Sequence, residues 1–183
     1  MTRAYVGLGS NLEPEKNIRA AVRLLAGREQ VKAASTFYRT ESVPPGAPEY
    51  INGALALETE RGPRELKLDV LRAVEARLGR VRTADRNAPR TIDCDLLIWG
   101  DAALSDSDLV LPAPEALEQA FVAVPLSELA PELVLPGSGR KLCEVAAAAA
   151  PHAMSPLARL TDEIRRELKE VEDGSSPHRN ARP

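Results

Sequence analysis

Histidine is almost missing from this sequence. Of 183 residues only His152 and His178 are imidazoles, and both lie near the C-terminus. A histidine-based catalytic triad or a histidine-ligated zinc site in the body of the protein is therefore excluded. Cysteine is equally scarce: Cys94 and Cys143 form neither a metal-ligand spacing nor a disulfide framework, which fits a reducing compartment. Aromatic residues are few, at 3% of the chain. No apolar run approaches the ~18–20 residues of a membrane span. Met1-Thr2-Arg3 leads into a strand rather than into the apolar core of a signal peptide, so a cytoplasmic location is expected. Excess charge of either sign is also absent. A net charge of −3 argues against a general binder of nucleic acid or of membrane surfaces.

What is present suits a small α+β scaffold. The length allows one domain with a proper core, here expected over residues 1–151, followed by a charged helix and a disordered polar tail over 152–183. Residues 4–9, Ala-Tyr-Val-Gly-Leu-Gly, read as a first strand. Gly7 and Gly9 imply a close approach of another backbone or a ligand, or else a bulge. Pro14 opens a helix whose buried face is Ile18, Ala21, Val22 and Leu25. A second strand spans 31–40, a loop with three prolines follows, and a third strand spans 50–59, antiparallel to the second. A second helix starts at Gly62-Pro63 and turns Leu66, Val70, Ala73, Val74 and Leu78 inward. Glu75, near its end, is either a solvated acid or a hydrogen-bond acceptor for a ligand or an arginine. Downstream, a short hairpin (103–111), a helix through Leu129, a short helix over 143–150 and an amphipathic helix over 157–171 are expected. The order β-α-β-β-α-β is that of a ferredoxin-like α+β sandwich with an antiparallel sheet, plus a C-terminal hairpin and helices.

The chain is organised around residues 79–100. A loop carrying Arg80, Arg82, Arg86 and Arg90 runs into a strand, Thr91-Ile92-Asp93-Cys94-Asp95-Leu96-Leu97-Ile98-Trp99. Alternation puts Thr91, Asp93 and Asp95 on one face and Ile92, Cys94, Leu96 and Ile98 on the other. Carboxylates one strand repeat apart, about 6.5–7 Å between Cα atoms, can converge on a hard cation. Guanidinium groups bind phosphate oxygens bidentately and stay charged. Together these residues point to phosphoryl transfer from a nucleotide.

The run Pro89-Arg90-Thr91-x-Asp93-x-Asp95, preceded by Gly79-Arg80-x-Arg82, resembles the signature of the 6-hydroxymethyl-7,8-dihydropterin pyrophosphokinases of the folate pathway. Gly9-Ser10-Asn11, Phe37-Tyr38-Arg39-Thr40, Tyr50-Ile51-Asn52 and Phe121 through Pro125-Leu126 fall in that family's order, so the resemblance covers about residues 4–145. It implies that ATP is the co-substrate and that Asp93 and Asp95 bind two Mg²⁺ ions. It also implies that Arg80 and Arg90 contact the phosphates and that Arg82 helps to close the site. Glu75, with Leu96 beside the acids, is implied on the nucleotide side. Tyr50 and Phe121 would sandwich the pterin, and Asn52 with the backbone around Thr40 and Val43 would read its polar edge. The chemistry implied is attack of the pterin hydroxymethyl oxygen on the β-phosphorus of ATP, releasing AMP. The expected partners are these small molecules alone, with the protein a monomer or weak dimer. Asn87-Ala88, Ala113 and Gln119 depart from the family's usual Trp-Gly, histidine and arginine, which implies weaker ATP binding. The alternative reading is a catalytically weak pterin- or nucleotide-binding module that works through partners.

Overall fold

The structure is a computed structural model that describes residues 1–41, 48–81, 88–149 and 154–173. Its central strand is β1 (Thr2–Ser10), which pairs antiparallel with β4 (Tyr50–Thr59) on one side and β5 (Asp93–Trp99) on the other. The far edge of β4 carries two short strands in tandem, β2 (Gln30–Ala34) and β3 (Tyr38–Thr40), both antiparallel to it. β8 (Met154–Pro156) extends the sheet beyond β3. The antiparallel α+β sandwich expected from the element order is therefore present.

One sheet face is closed by helices. α1 (Pro14–Ala26) buries Ile18, Ala21, Val22 and Leu25, as its spacing predicts. The second helix runs as α2 (Pro63–Glu65), a π-helical stretch (Leu66–Leu71) and α3 (Arg72–Arg77). The wider π turn advances the buried stripe by one residue, so Leu71 is buried where Ala73 was expected, and Glu75 lands on the buried side. Val6 and Leu8 of β1 and Leu55 and Leu57 of β4 meet these helices in one apolar cluster. α7 (Ala158–Glu172) joins it through Leu160 and Ile164. The expected amphipathic helix is present, but it is not a solvated terminal helix: its apolar stripe is wide enough to be drawn into the core.

The other face is covered by α4 (Glu115–Glu118), α5 (Ala120–Leu129) and α6 (Leu142–Ala148), which pack Ala116, Ala123, Leu126, Leu142 and Val145 on Tyr5, Ala54, Ala56, Leu97 and Ile98. The predicted hairpin is the pair β6 (Leu104–Ser105) and β7 (Val110–Leu111).

Two sequence expectations are corrected by long-range packing. The second strand is not continuous. It breaks at Ser35–Phe37, where Phe37 turns fully inward beneath Gly53. Ser35 covers the break by accepting the Ala54 N–H on Oγ (2.8 Å) and donating its own N–H to the Ala54 carbonyl (2.9 Å). Alternation along β5 also fails at its end. A register shift opposite Tyr5–Val6 admits an extra residue, so Ile98 lies with Leu97 on the α5 side while Trp99 packs on the α1 side.

Candidate active site

The helices on the second face stop short of one end of the sheet and leave a cleft of about 400 Å³. Its floor is Gly7 and Gly9, and the missing side chains are what make the space. A Cβ on Gly7 would stand 3.1 Å from Leu97 Cδ1, and one on Gly9 would stand 2.9 Å from Asn52 Oδ1. Around this floor stand Asp93 and Asp95 from β5, Tyr50 and Asn52 from β4, Thr40 at the end of β3, and Phe121 in the first turn of α5. Asn52 Nδ2 donates to Thr40 Oγ1 at 2.8 Å, which fixes the amide with its oxygen on the Gly9 side.

Ser10 and Asn11 explain why the acids and arginines meet here. Asn11 Oδ1 accepts the Arg90 N–H (2.7 Å), and the N–H groups of Asn11 and Leu12 both donate to the Arg90 carbonyl (3.2 Å each). Ser10 Oγ donates to the Thr91 carbonyl at 2.6 Å. The end of β1 thus clamps the backbone that carries Arg90 into β5. From there Arg90 Nη1 reaches Asp93 Oδ2 at 2.6 Å, and its guanidinium lies 6.0 Å from the Tyr50 ring centroid. Burial works against the Arg90 charge, but the hydrogen bond and charge of Asp93, with help from Tyr50 and Asp95, leave it more firmly protonated than usual. Arg80 approaches from behind, with Nη1 on the Ile92 carbonyl (2.8 Å) and Nη2 near Asp93 Oδ1 (3.3 Å). Both oxygens of Asp93 therefore face guanidinium groups.

Asp95 is in a different position. Solvent reaches its carboxyl through the cleft mouth, yet protein encloses it on the other sides. That confinement, then the charges of Asp93, Glu75 and Glu115, push its pKa up to about 7 against the opposing pull of Arg80. An acid held this high marks uncompensated negative charge. Two carboxylates on one strand face form an oxygen-only donor set, which suits a hard cation. Among the described residues no group of three or more His, Cys, Asp and Glu is placed to hold a metal. An oxygen donor set of two carboxylates fits Mg²⁺, which is commonly bound by one or two carboxylates and completed by substrate phosphates and water. Cys94, between the acids in sequence, faces the core. Burial, followed by the charges of Glu75, Asp95 and Asp93, pushes its thiol well up, so it is no nucleophile.

Tyr50, Asn52, Thr40, Phe121, Arg90, Asp93 and Asp95, all candidates from the sequence, meet at this cleft. Arg80 acts from its back through Asp93. Glu75 is not a solvated acid: it is buried, and its Oε1 accepts the Cys94 N–H at 3.1 Å behind the acid pair. Leu96 turns its side chain into the main core rather than into the cleft. Val43, Arg82 and Asn87 lie outside the described residues. Of the family departures, Gln119 lines the cleft, while Ala113 is buried and donates its N–H to the Leu97 carbonyl at 2.8 Å. Glu41 and Glu115 also line the cleft and were not foreseen. Each is a single acid with no periodicity or partner motif to single it out. The clamp role of Ser10 and Asn11 was legible only as a motif next to a glycine-rich strand.

A ferredoxin-like sandwich with paired acids, arginines and an aromatic-flanked recess at one cleft defines a phosphoryl-transfer class of protein. The family model for 7,8-dihydro-6-hydroxymethylpterin-pyrophosphokinase (HPPK) matches residues 5–131, and the chain belongs to that family. It is 45% identical over 144 residues to the 2-amino-4-hydroxy-6-hydroxymethyldihydropteridine pyrophosphokinase of Methylorubrum extorquens, covering 75% of this chain and 88% of that protein. The enzyme of the same name from Pseudomonas aeruginosa is 41% identical over 150 residues, covering 80% and 91%. That from Synechocystis sp. is 40% identical over 146 residues, covering 78% and 73%. The fold is shared with Plasmodium falciparum HPPK-DHPS, at a TM-score of 0.57 and 10% identity, over 80% of this chain and 43% of that one.

Proposed function

We propose that this chain transfers the pyrophosphoryl group of ATP to the hydroxymethyl group of 6-hydroxymethyl-7,8-dihydropterin, with AMP leaving. The observation that carries the proposal is the joint placement, in one cleft, of the Asp93–Asp95 pair with Arg90 and of Tyr50, Asn52 and Phe121. Tyr50 and Phe121 flank the heterocycle. Asn52, whose Nδ2 is held by Thr40, offers its Oδ1 as an acceptor for a ring N–H or amino group. Asp93 and Asp95 would hold two Mg²⁺ ions, whose charge would offset that of the phosphate oxygens.

Arg80 and Arg90, which share Asp93, exchange that partner for phosphate oxygens when the nucleotide arrives. Arg90 keeps its charge through this exchange, because a guanidinium stays protonated in proteins and the phosphate oxygens replace the carboxylate as its anionic partner. No side chain needs to act as a strong base, since such transfers depend mainly on positioning and charge neutralisation. The absence of a core histidine is consistent with this chemistry.

The test is a turnover assay with ATP, Mg²⁺ and the dihydropterin, detecting AMP, run beside Asp95→Ala. Pterin-dependent AMP that disappears in the variant is the expected result. Pterin or nucleotide binding without AMP from the wild-type protein would overturn the proposal in favour of a silent binding module.

A further inference from the structure

Residues 154–173 hold the cleft wall from behind. Because the second strand breaks at Ser35–Phe37, β4 does not satisfy the backbone of Phe37. Both of its polar groups are taken by the C-terminal segment instead: the Phe37 N–H donates to Thr161 Oγ1 at 3.0 Å, and the Phe37 carbonyl accepts the Leu157 N–H at 2.8 Å. Thr161 is 2% exposed. β8 continues the clamp along the same strand, pairing Met154 with Thr40, Ser155 with Arg39 and Pro156 with Tyr38.

These contacts lead directly to the cleft. The Phe37 ring lies so close beneath Gly53 that a Cβ there would fall 2.4 Å from Cδ1, so the position of Phe37 sets the height of Gly53. Gly53 adjoins Asn52, and Thr40 accepts the Asn52 hydrogen bond. A second tie runs through Arg165, whose Nε donates to the Ala34 carbonyl (3.0 Å) and whose Nη2 lies 3.9 Å from Glu128 Oε2. Glu128 in turn accepts the Thr36 N–H (2.8 Å) and the Tyr38 hydroxyl (2.6 Å), which links α5, the helix that carries Phe121, to the same strand break. Burial and then the bond to Glu128 push the Tyr38 hydroxyl up to about 12, so it remains a donor in this tie.

We infer that residues 154–173, which lie outside the matched family region, position the Thr40–Asn52–Gly53 wall for the heterocycle, and that Thr161 is the positioning residue through which they act. The inference rests on the reading of this wall as the heterocycle site. The acids of β5 and the backbone of Arg90 just before it are held by β1, on the opposite side of β4 from the clamp. Loss of the clamp is thus felt by one substrate and not by the other.

The experiment measures KM for the dihydropterin and for ATP, kcat and Tm on wild type, Thr161→Val, Thr161→Ser and Leu168→Ala. Thr161→Val leaves the Phe37 N–H without its acceptor and should raise the dihydropterin KM about fivefold to tenfold with ATP KM within about twofold. Thr161→Ser restores the acceptor and should return the dihydropterin KM to the wild-type value. Leu168→Ala loosens α7 without touching Phe37, so it should lower Tm and leave both KM values alone. Equal shifts in both KM values, an unchanged dihydropterin KM, or the same split in Leu168→Ala would overturn the inference. If Thr161→Val does not fold, the same split is read on Arg165→Met, which removes the Ala34 tie from a part-exposed position. A wild-type protein that makes no AMP sinks the proposed function instead, and the dihydropterin Kd of the same variants then decides the positioning role.

Discussion

The two faces of the sheet are built from the same strands but closed in different ways. On the face of α1, α3 and α7, every inward position of β1 carries a side chain, and the helices meet it with branched aliphatics such as Ile18, Val22, Val70 and Ile164. On the other face β1 offers Gly7 and Gly9, and the covering helices are short and rich in alanine. The first face is a sealed core. The second is a sealed core over one half and a cleft over the other, and Asp93 and Asp95 emerge on the cleft side. β5 shows the contrast at neighbouring residues: Cys94 is buried among aliphatics with its thiol kept protonated, while Asp95 opens onto the cleft. Stability and chemistry are thereby assigned to opposite sides of one sheet, and substitutions on the two sides should separate them.

The largest expected effect is on the open face. Asp95→Ala should reduce AMP release by about a thousandfold, as loss of a charge-stabilising group does, while Tm stays at or above the wild-type value. A variant that instead unfolds would show that the acid is structural and would erase the contrast. On the closed face, Ile164→Ala should destabilise by about 2–5 kcal/mol in urea unfolding, since it opens a cavity beneath α7. A loss well under that range would mean that α7 is merely laid on the surface.

Glycines sharpen the comparison within single strands. Gly53→Ala points at the closed side, where the rigid, fully buried Phe37 ring cannot yield, and should cost about 1–3 kcal/mol of stability. Gly9→Ala points at the open side, where Asn52 can swing away. It should leave stability nearly intact and raise the dihydropterin KM through the broken Asn52–Thr40 bond.

A pH series gives a smaller effect. Between its ordinary value of 3.8 and about 7 the Asp95 carboxyl is protonated in the metal-free folded state and ionised in the unfolded one. The folded state then binds the extra proton, so this group makes stability fall as pH rises through that window. Comparing Tm at about pH 5 and about pH 8 should show a drop that Asp95→Asn removes and that Mg²⁺ offsets only in the wild type. A Tm difference unchanged by Asp95→Asn would place the charge strain elsewhere. The smallest effect is expected from Arg23→Ala, which removes a two-point ion pair to Glu167 at 2.7 and 2.8 Å between α1 and α7. It is solvent-screened and should be worth at most about 1 kcal/mol in thermal or urea unfolding.

Much of the cleft was legible in the sequence because its key residues come in short, periodic runs. Asp93 and Asp95 share a strand face by alternation, Tyr50 and Asn52 do the same, and the glycines of β1 announce a close approach. Glu75 was not legible, because a π turn decides which side of its helix faces inward. Ile98 was missed because a register shift in β5 breaks the alternation that carried the acids. The break at Ser35–Phe37 was hidden as well, since nothing local interrupts a run that reads as one strand.

The sequence by itself determined the main helices, most of the strands, the pairing of Asp93 with Asp95 and that of Tyr50 with Asn52. Each of these follows from spacing within about ten residues, where backbone geometry alone sets which side chains share a face. Only the tertiary structure decided that Ser10 and Asn11 clamp Arg90, that Glu75 lies beneath Cys94, and that α7 holds Phe37 under Gly53. Those contacts join residues far apart in the chain, and they exist because buried backbone groups left unpaired by broken or ended strands must find partners wherever packing brings them.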